Sequence, residues 1–202
     1  MRGTIKPVLL ASLVVAVSGC ATQKHLTRDE YLQTTQRTYA NKTPDDILRA
    51  AEKLFFLADG DDFTFHHTDD ALVASRKWTV YLVLAASMGT DTWVINTDEQ
   101  GGATKVSAMV STQGGAVTPM PTTGGDWTAG SMPAGAYITQ GTAIYDVFWA
   151  RMDYLLGETD KWMTCKEADL RVKEGVVWGS NEALCNSFNL KDSLPEELRP
   201  GE

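Results

Sequence analysis

The chain is poor in the residue types that most often carry catalysis or bind metals. It has three histidines and three cysteines among 202 residues. The sequences typical of nucleophile elbows, zinc proteases, phosphate-binding loops and dinucleotide-binding folds are all missing from it. His66 and His67 are adjacent on a predicted strand, so their side chains would lie on opposite faces and could not easily share one metal. We therefore expect no enzyme, no metal and no cofactor.

Positive charge and long apolar runs are also scarce. The 18 Lys and Arg residues stand against 26 Asp and Glu, a formal net charge of −8, which disfavours nucleic acid as a partner. The apolar run at residues 8–18 is 11 residues long. This is about half of the ~20 residues that a transmembrane helix needs. A hydrophobic fraction of 43% nevertheless predicts one globular domain with its own core.

The N-terminus has the features of an export signal. Arg2 and Lys6 precede the apolar run, which ends at Val17-Ser18-Gly19-Cys20. This tetrapeptide resembles the lipobox of bacterial lipoproteins. The resemblance implies that residues 1–19 are removed as a signal peptide and that Cys20 becomes the acylated (palmitate-bearing) first residue. The alternative is a plain secretory signal with a chance cysteine.

The same resemblance implies a cellular location. Ala21 stands where an Asp would favour retention in the inner membrane, so we expect a lipid anchor in the outer membrane with the domain facing the periplasm. Without residues 1–19 the chain has 16 basic and 26 acidic residues, a formal charge of −10. Anionic headgroups repel such a surface, so the lipid rather than the protein would hold the molecule at the membrane.

Two cysteines remain if Cys20 carries lipid. Cys165 and Cys185 are an even pair in an oxidising compartment, which favours a disulfide closing a loop of about 20 residues. Metal binding is the competing interpretation, although no histidine lies between the two cysteines. A nucleophilic role for Cys165 is disfavoured because no histidine lies near it in the sequence.

Composition divides the mature chain into three parts. Residues 20–42 are polar and predict a lipidated tether, residues 43–194 a single domain, and residues 195–202 an exposed tail. The domain begins with a helix signal in which Thr43 caps the helix and Pro44 occupies its first turn. One apolar stripe follows at helical spacing, formed by Ile47, Ala50, Ala51, Leu54, Phe55 and Ala58. The acidic residues 59–62 predict a solvated turn.

The next part of the chain predicts strands. Segments near residues 63–67, 71–86, 91–97 and 103–111 have strand-like patterns with short connections, which indicates an antiparallel four-stranded meander. A second helix is expected at residues 136–156. The whole pattern predicts an α+β fold with helices packed on one face of the sheet and a C-terminal annex stapled by the disulfide.

Residues 112–135 interrupt this pattern. Nine of these 24 residues are Gly or Pro, and only Asp126 is charged. The segment predicts either an ordered loop over a core edge or a lid or partner-contact loop. Its large apolar residues make Met120, Trp127 and Met132 the candidate partner-binding side chains.

Three functions are considered, and the first is the one that the sequence favours. It is a non-catalytic binding or scaffold module for an envelope protein partner, using the 112–135 segment. The second is a site for a small apolar ligand or lipid between the second helix and the sheet. The third is a hydrolase of envelope polymers, for which Asp146 and Asp153 on the second helix would be the carboxylate pair.

Overall fold

The computed structural model describes residues 25–82, 85–139 and 141–185, and the predicted signal peptide, Cys20 and the 195–202 tail lie outside these ranges. The described chain is α+β, as expected from the sequence. Its elements are α1 (Arg28–Thr35), β1 (Gln36–Ala40), α2 (Pro44–Asp59), a 3-10 turn (Gly60–Asp62), β2 (Phe63–His67), β3 (Ala71–Leu82), β4 (Ala85–Gln100), β5 (Ala103–Pro121), β6 (Trp127–Ile138), α3 (Ala143–Leu155) and α4 (Cys165–Lys173).

The sheet is antiparallel and has six strands. Its order is β1-β5-β4-β3-β2, and β6 pairs with β5. Strands β2 to β6 follow one another as a meander, which confirms the predicted arrangement and extends it. Strand β5 is 19 residues long, so one of its edges accommodates two partners. β1 pairs with Ala103–Ser107, and β6 pairs with the stretch from Ser111 to Pro121.

The first additional strand lies in the predicted tether. The spacer prediction for residues 20–42 is wrong from Arg28 onward, because this segment forms α1 and the edge strand β1. Thr27 and Glu30 form a capping box at the start of α1. The segment has little apolar periodicity. Its stability comes from pairing with β5 and from long-range contacts, which local sequence patterns do not report.

The second additional strand replaces the predicted loop. Residues 112–135 are the distal part of β5, a turn closed by a 2.7 Å hydrogen bond from Thr122 N to Asp126 O, and most of β6. The prolines are tolerated because Pro119 and Pro121 lie beyond the paired length of β4, and β6 pairs only with β5 among the described strands. The lid and loop predictions for this segment are therefore wrong.

Helices α2 and α3 cover one face of the sheet. Thr43 and Asp46 cap α2, and the predicted apolar stripe of this helix is buried in full. The Trp93 ring of β4 lies between Phe55 of α2 and Phe148 of α3, with ring centroids 5.4 and 5.0 Å away. No helix in the described part of the chain is both long and apolar enough to cross a membrane.

Helix α3 begins at Ala143, later than the 136 expected from the sequence, because β6 continues to Ile138. The intervening chain passes very close to Gly179 of the C-terminal annex (residues 160–185). A Cβ on Gly141 would lie 2.8 Å from the Cα of Gly179, so both positions require glycine. The amide of Ala143 also donates to the carbonyl of Trp178 at 2.9 Å, which ties the start of the helix to the annex.

The annex, residues 160–185, is closed on itself by a disulfide and is held to α3 by a buried arginine. Cys165 and Cys185 are disulfide-bonded, with Cα atoms 5.5 Å apart, as predicted. Arg151 of α3 is 3% exposed and donates to the carbonyls of Met163 at 3.1 Å and Leu184 at 3.4 Å. These contacts fix both ends of the annex against one helix.

Strand β1 is attached to α3 by a group of polar side chains. The Tyr39 hydroxyl donates to Asp153 at 2.8 Å, and Arg37 forms an ion pair with the same carboxylate. The Trp149 indole donates to the carbonyl of Thr34 at 2.7 Å. The N-terminal segment is thus part of the folded unit.

Replacing Tyr39 by Phe should lower the free energy of unfolding at pH 7 by about 1 kcal/mol, because Asp153 loses a hydrogen-bond donor. Tyr81→Phe is the matched control at an 83% exposed tyrosine and should change this free energy by less than about 0.5 kcal/mol. Chemical denaturation measures both.

Burial, and next the Asp153 charge, raise the pKa of Tyr39 well above its ordinary value of 10.0. The contribution of Tyr39 to stability is therefore complete below pH 10 and is lost as the pH rises further, at up to ~1.4 kcal/mol per pH unit. Above pH 10, the free energy of unfolding of Tyr39→Phe should therefore fall less steeply with pH than that of the wild-type protein, by up to this amount. An unchanged pH dependence would contradict the buried contact.

Replacing both Cys165 and Cys185 by Ser should lower the free energy of unfolding by about 3 kcal/mol, because the disulfide closes a loop across a sequence separation of 20 residues. Denaturation of the reduced wild-type protein is the control and should give the same loss. A midpoint insensitive to reducing agent would show that the two cysteines are not paired in the purified protein.

Candidate functional site

The sheet extends beyond its helices as a four-stranded arm (residues 77–82, 85–90, 113–121 and 127–136). Within the helical layer the inward-facing Leu72 and Trp93 are fully buried. Farther along the same face of β3, Trp78 and Val80 are only half-buried. The change in burial marks the place where the helical cover ends.

A row of polar side chains crosses the sheet at this place. Arg76, Asp91, Thr112 and Tyr137 are register neighbours on β3, β4, β5 and β6, and we call them the polar row. Arg76 Nη2 donates to Asp91 Oδ2 at 3.0 Å, and the Thr112 hydroxyl donates to Asp91 Oδ1 at 2.8 Å. Asp91 is thus held by neighbours on both sides.

A cleft of about 450 Å³ opens above the polar row. The sheet forms its floor, the start of α3 forms one wall, and the annex forms the other. This volume lies within the range of small-molecule sites. The residues that line it are Arg76, Trp78, Val80, Asp91, Thr112, Tyr137, Thr139, Ile144, Ser180, Glu182 and Ala183.

Arg76 joins the three parts of the molecule that meet at the cleft. Its side chain is 4% exposed. Nη1 donates to Asp59 at the end of α2 at 2.7 Å, and Nη2 donates to the carbonyl of Glu182 in the annex at 3.2 Å. Nε has no acceptor among the described residues. A buried guanidinium needs such partners, because removing its charge from water is otherwise costly.

Trp78 forms an apolar part of the floor. It faces Gly89 in the register of β3 and β4, and Gly114 follows on β5. A Cβ on Gly89 would overlap the indole, and a Cβ on Gly114 would lie 3.4 Å from it. The two glycines therefore leave the space in which the indole lies across the neighbouring strands.

The three predicted partner-binding residues belong to one hairpin. Met120 is 39% exposed on β5, and its side chain lies over Gly130 of β6. Trp127 and Met132 are on β6, paired in register with Pro121 and Ala116. The side chains of Trp127 and Met132 lie outside the described part of the structure.

The predicted carboxylate pair on α3 is not brought to one site. Asp146 accepts two hydrogen bonds from Arg171 at 2.6 and 3.0 Å. Asp153 instead contacts Arg37 and Tyr39 near β1. Each carboxylate is committed to a different structural ion pair, so α3 does not present the two as an acid and a base across a common cleft.

Other polar clusters are also accounted for by ion pairs. A second depression of about 430 Å³ lies between α3 and α4. Lys161 and Glu167 on its rim form an ion pair at 2.9 Å. The predicted turn at residues 59–62 is the last residue of α2 followed by a 3-10 turn, and Asp59 binds Arg76. Within the described ranges, no group of three or more His, Cys, Asp or Glu residues is arranged to hold a metal.

Sequence reasoning placed a candidate ligand site between the second helix and the sheet, but it identified neither the annex wall of the cleft nor its polar row. One signal in the sequence could have indicated this site. Arg76 stands among Leu72, Ala74 and Trp78 at every second position of β3, which places it on the inward face of the strand. A charged residue in such an alternation indicates either a buried ion pair or a site. Asp91, 15 residues away in the sequence, could not have been identified as its partner without the strand register.

Comparisons with protein-family models, with curated proteins and with solved structures give no match to this chain.

Proposed function

We propose that this chain is a lipid-anchored protein of the cell envelope whose domain binds a small amphipathic molecule without chemical conversion. The observation that carries the proposal is the cleft between the arm, α3 and the annex, which combines an apolar lining with a few fixed polar groups. This corresponds to the second of the functions that the sequence left open.

The cleft lining supports a ligand with an apolar body. Trp78 and Val80 of the floor are half-buried and offer most of the apolar surface, while the more deeply buried Ile144 and Ala183 complete the lining from the two walls. Covering such surface releases water and favours binding by about 25 cal/mol per Å² before the costs of association are subtracted.

The polar row supports positioning rather than catalysis. Both Oδ atoms of Asp91 already accept hydrogen bonds, one from Arg76 and one from Thr112. Asp91 is also only 4% exposed, so little of its carboxylate is open to a substrate as a general base. The row is suited to orient the polar end of a ligand, because neighbouring strands and the annex hold it in place.

Anchoring and location rest on the sequence around Cys20. We infer that acylation at this residue holds the domain at the outer membrane, facing the periplasm. The N-terminal segment from Arg28 onward is part of the fold, so few residues would separate the lipid from the domain. The site would then operate close to the membrane surface.

A protein partner is the second candidate. Met120, Tyr81 and Met88 on the arm are exposed by 39%, 83% and 45%. β6 pairs with β5 alone among the described strands, so its other edge could accept an added strand. Crosslinking from position 127 that recovers one specific envelope protein would favour this candidate.

Binding in the cleft can be tested with octyl glucoside below its micellar concentration. The protein is the whole mature chain with Cys20→Ser, and calorimetry measures the affinity. Val80→Arg puts a charge on the apolar floor and should weaken binding at least about tenfold, by the loss of an apolar contact. Thr79→Arg, at the exposed neighbour on the other face of β3, is the matched control and should bind like the parent chain. Absence of binding, or equal weakening by both substitutions, would refute the cleft as the site.

The anchor is tested separately. Cys20→Ala should abolish incorporation of labelled palmitate and shift the protein out of the membrane fraction. Cys165→Ser with Cys185→Ser should leave the labelling intact. Processing after Gly19 and membrane fractionation that both persist in Cys20→Ala would contradict lipidation.

A further inference from the structure

Two edges of the arm have no partner strand within the described part of the chain. β2 pairs with β3 only as far as Arg76, so residues 77–82 of β3 continue without a neighbour on that side. On the other side of the arm, β6 pairs with β5 alone. Among the described residues, no backbone hydrogen bond from a turn or loop reaches residues 77–82 or 127–136. We call these two stretches the β3 edge and the β6 edge.

Neither edge has the features that usually keep sheets from pairing with one another. Outer strands are commonly very short or charged, and β1 and β2, the outer strands of the rest of the sheet, have only five residues each. β6 instead has 12 residues and no charged side chain. Pro133 removes one amide from β6 and leaves residues 127–132 able to pair along their whole length.

The arm also lacks charge on both of its faces. Charged residues make up 22% of the chain, but Lys77, where the arm begins, is the only one within it. Tyr81 and Met88 are 83% and 45% exposed on the outward face of the arm. Met120 is 39% exposed on the inward face. Contiguous exposed surface of this kind indicates an interaction site, and its partner need carry no complementary charge.

The two edges are complementary to each other. Every pairing from β3 through β4 and β5 to β6 is antiparallel, so β3 and β6 run in opposite directions. When a second copy is placed beside the first, its β3 meets β6 as an antiparallel neighbour with the same face of the sheet outward. The pattern of the sheet then continues from copy to copy, and both edges obtain backbone partners.

We propose that the arm is an assembly surface, on which the β6 edge of one copy pairs with the β3 edge of a second copy of this chain. Because the two edges differ, the pairing is head to tail and can be repeated, which gives assemblies of more than two copies. The helical layers of all copies then lie at the same end, as anchoring to one membrane would require. The inference does not depend on a ligand in the cleft.

Other occupants leave backbone groups without partners. The N–H and C=O groups of an unpaired strand edge find no hydrogen bonds in hydrocarbon, so the arm could not enter a bilayer with both edges open. A two-fold dimer that pairs β6 with β6 would leave the β3 edge of each copy open. Between the copies of a head-to-tail assembly, neither edge is open.

Cysteine crosslinking of the whole mature chain with Cys20→Ser identifies the edges that meet. Tyr81 and Ser131 lie in one row across the outward face, three strand spacings apart. Tyr81→Cys with Ser131→Cys in one chain is treated with a bismaleimide shorter than the ~14 Å between these positions within a copy. The double variant should give a ladder of crosslinked chains beyond the dimer. Each single variant should remain uncrosslinked, because position 81 meets position 131 and not itself.

Sedimentation of the same Cys20→Ser protein measures the assembly directly. Species larger than a dimer should increase with protein concentration. Thr79→Lys with Ser131→Lys puts like charges on the two strands that meet, and it should weaken association at least about tenfold. Asn96→Lys with Met109→Lys is the matched control, with the same added charge at exposed positions of β4 and β5 on the same face. It should assemble like the parent chain, and unchanged unfolding midpoints should show that both variants keep the fold.

The outcomes distinguish the possible partners of the arm. A parent chain that remains monomeric at every concentration would overturn the proposal, and so would equal weakening by the two lysine pairs. Crosslinking of Ser131→Cys with itself would show a two-fold dimer instead. Binding of monomers to phosphatidylcholine vesicles, lost in Thr79→Lys with Ser131→Lys, would assign the arm to a lipid surface. None of these results bears on octyl glucoside binding in the cleft, so this inference and the proposed function can fail separately.

Discussion

The ion pair of Arg76 with Asp59 and Asp91 is the constraint around which this fold is arranged. A guanidinium that is 4% exposed must be compensated by nearby acceptors, and these come from the end of α2, from β4 and from the annex. Removing one partner would leave buried charge unpaired. Three elements distant in sequence are therefore held at one point of the sheet.

This point separates two chemically different halves of one sheet face. On one side, Trp93 lies among the aromatic rings of α2 and α3 and is fully buried. On the other side, the strands continue without equivalent burial, and Trp78 lies across glycines instead of beneath a helix. A cleft forms because the strands are longer than the helices that cover them.

The annex gives the cleft its second wall. Ser180, Glu182 and Ala183 are held in this wall by the nearby disulfide, by the hydrogen bonds of Arg151 and by the hydrogen bond from Arg76 to the carbonyl of Glu182. A chain segment with little secondary structure can form a binding wall when such links restrict it. The annex wall of the cleft and the disulfide thus belong to one structural unit, which links the cysteine pair to the proposed function.

The sequence by itself determined those features that depend on neighbouring residues. Thr43 and Pro44 predicted the start of α2, its apolar spacing predicted the buried stripe, and the cysteine count predicted the disulfide. Short turns between apolar runs predicted the antiparallel meander.

Only the tertiary structure decided the rest, because the contacts concerned are distant in sequence. Strand β1 exists through its pairing with β5, the glycine-rich segment is a hairpin because β4 and Trp78 accommodate it, and Arg76 meets Asp91 only through the register of β3 and β4. Strand register and long-range pairing leave no periodic signal in the local sequence, so the polar row and the annex wall of the cleft could not be identified before the fold.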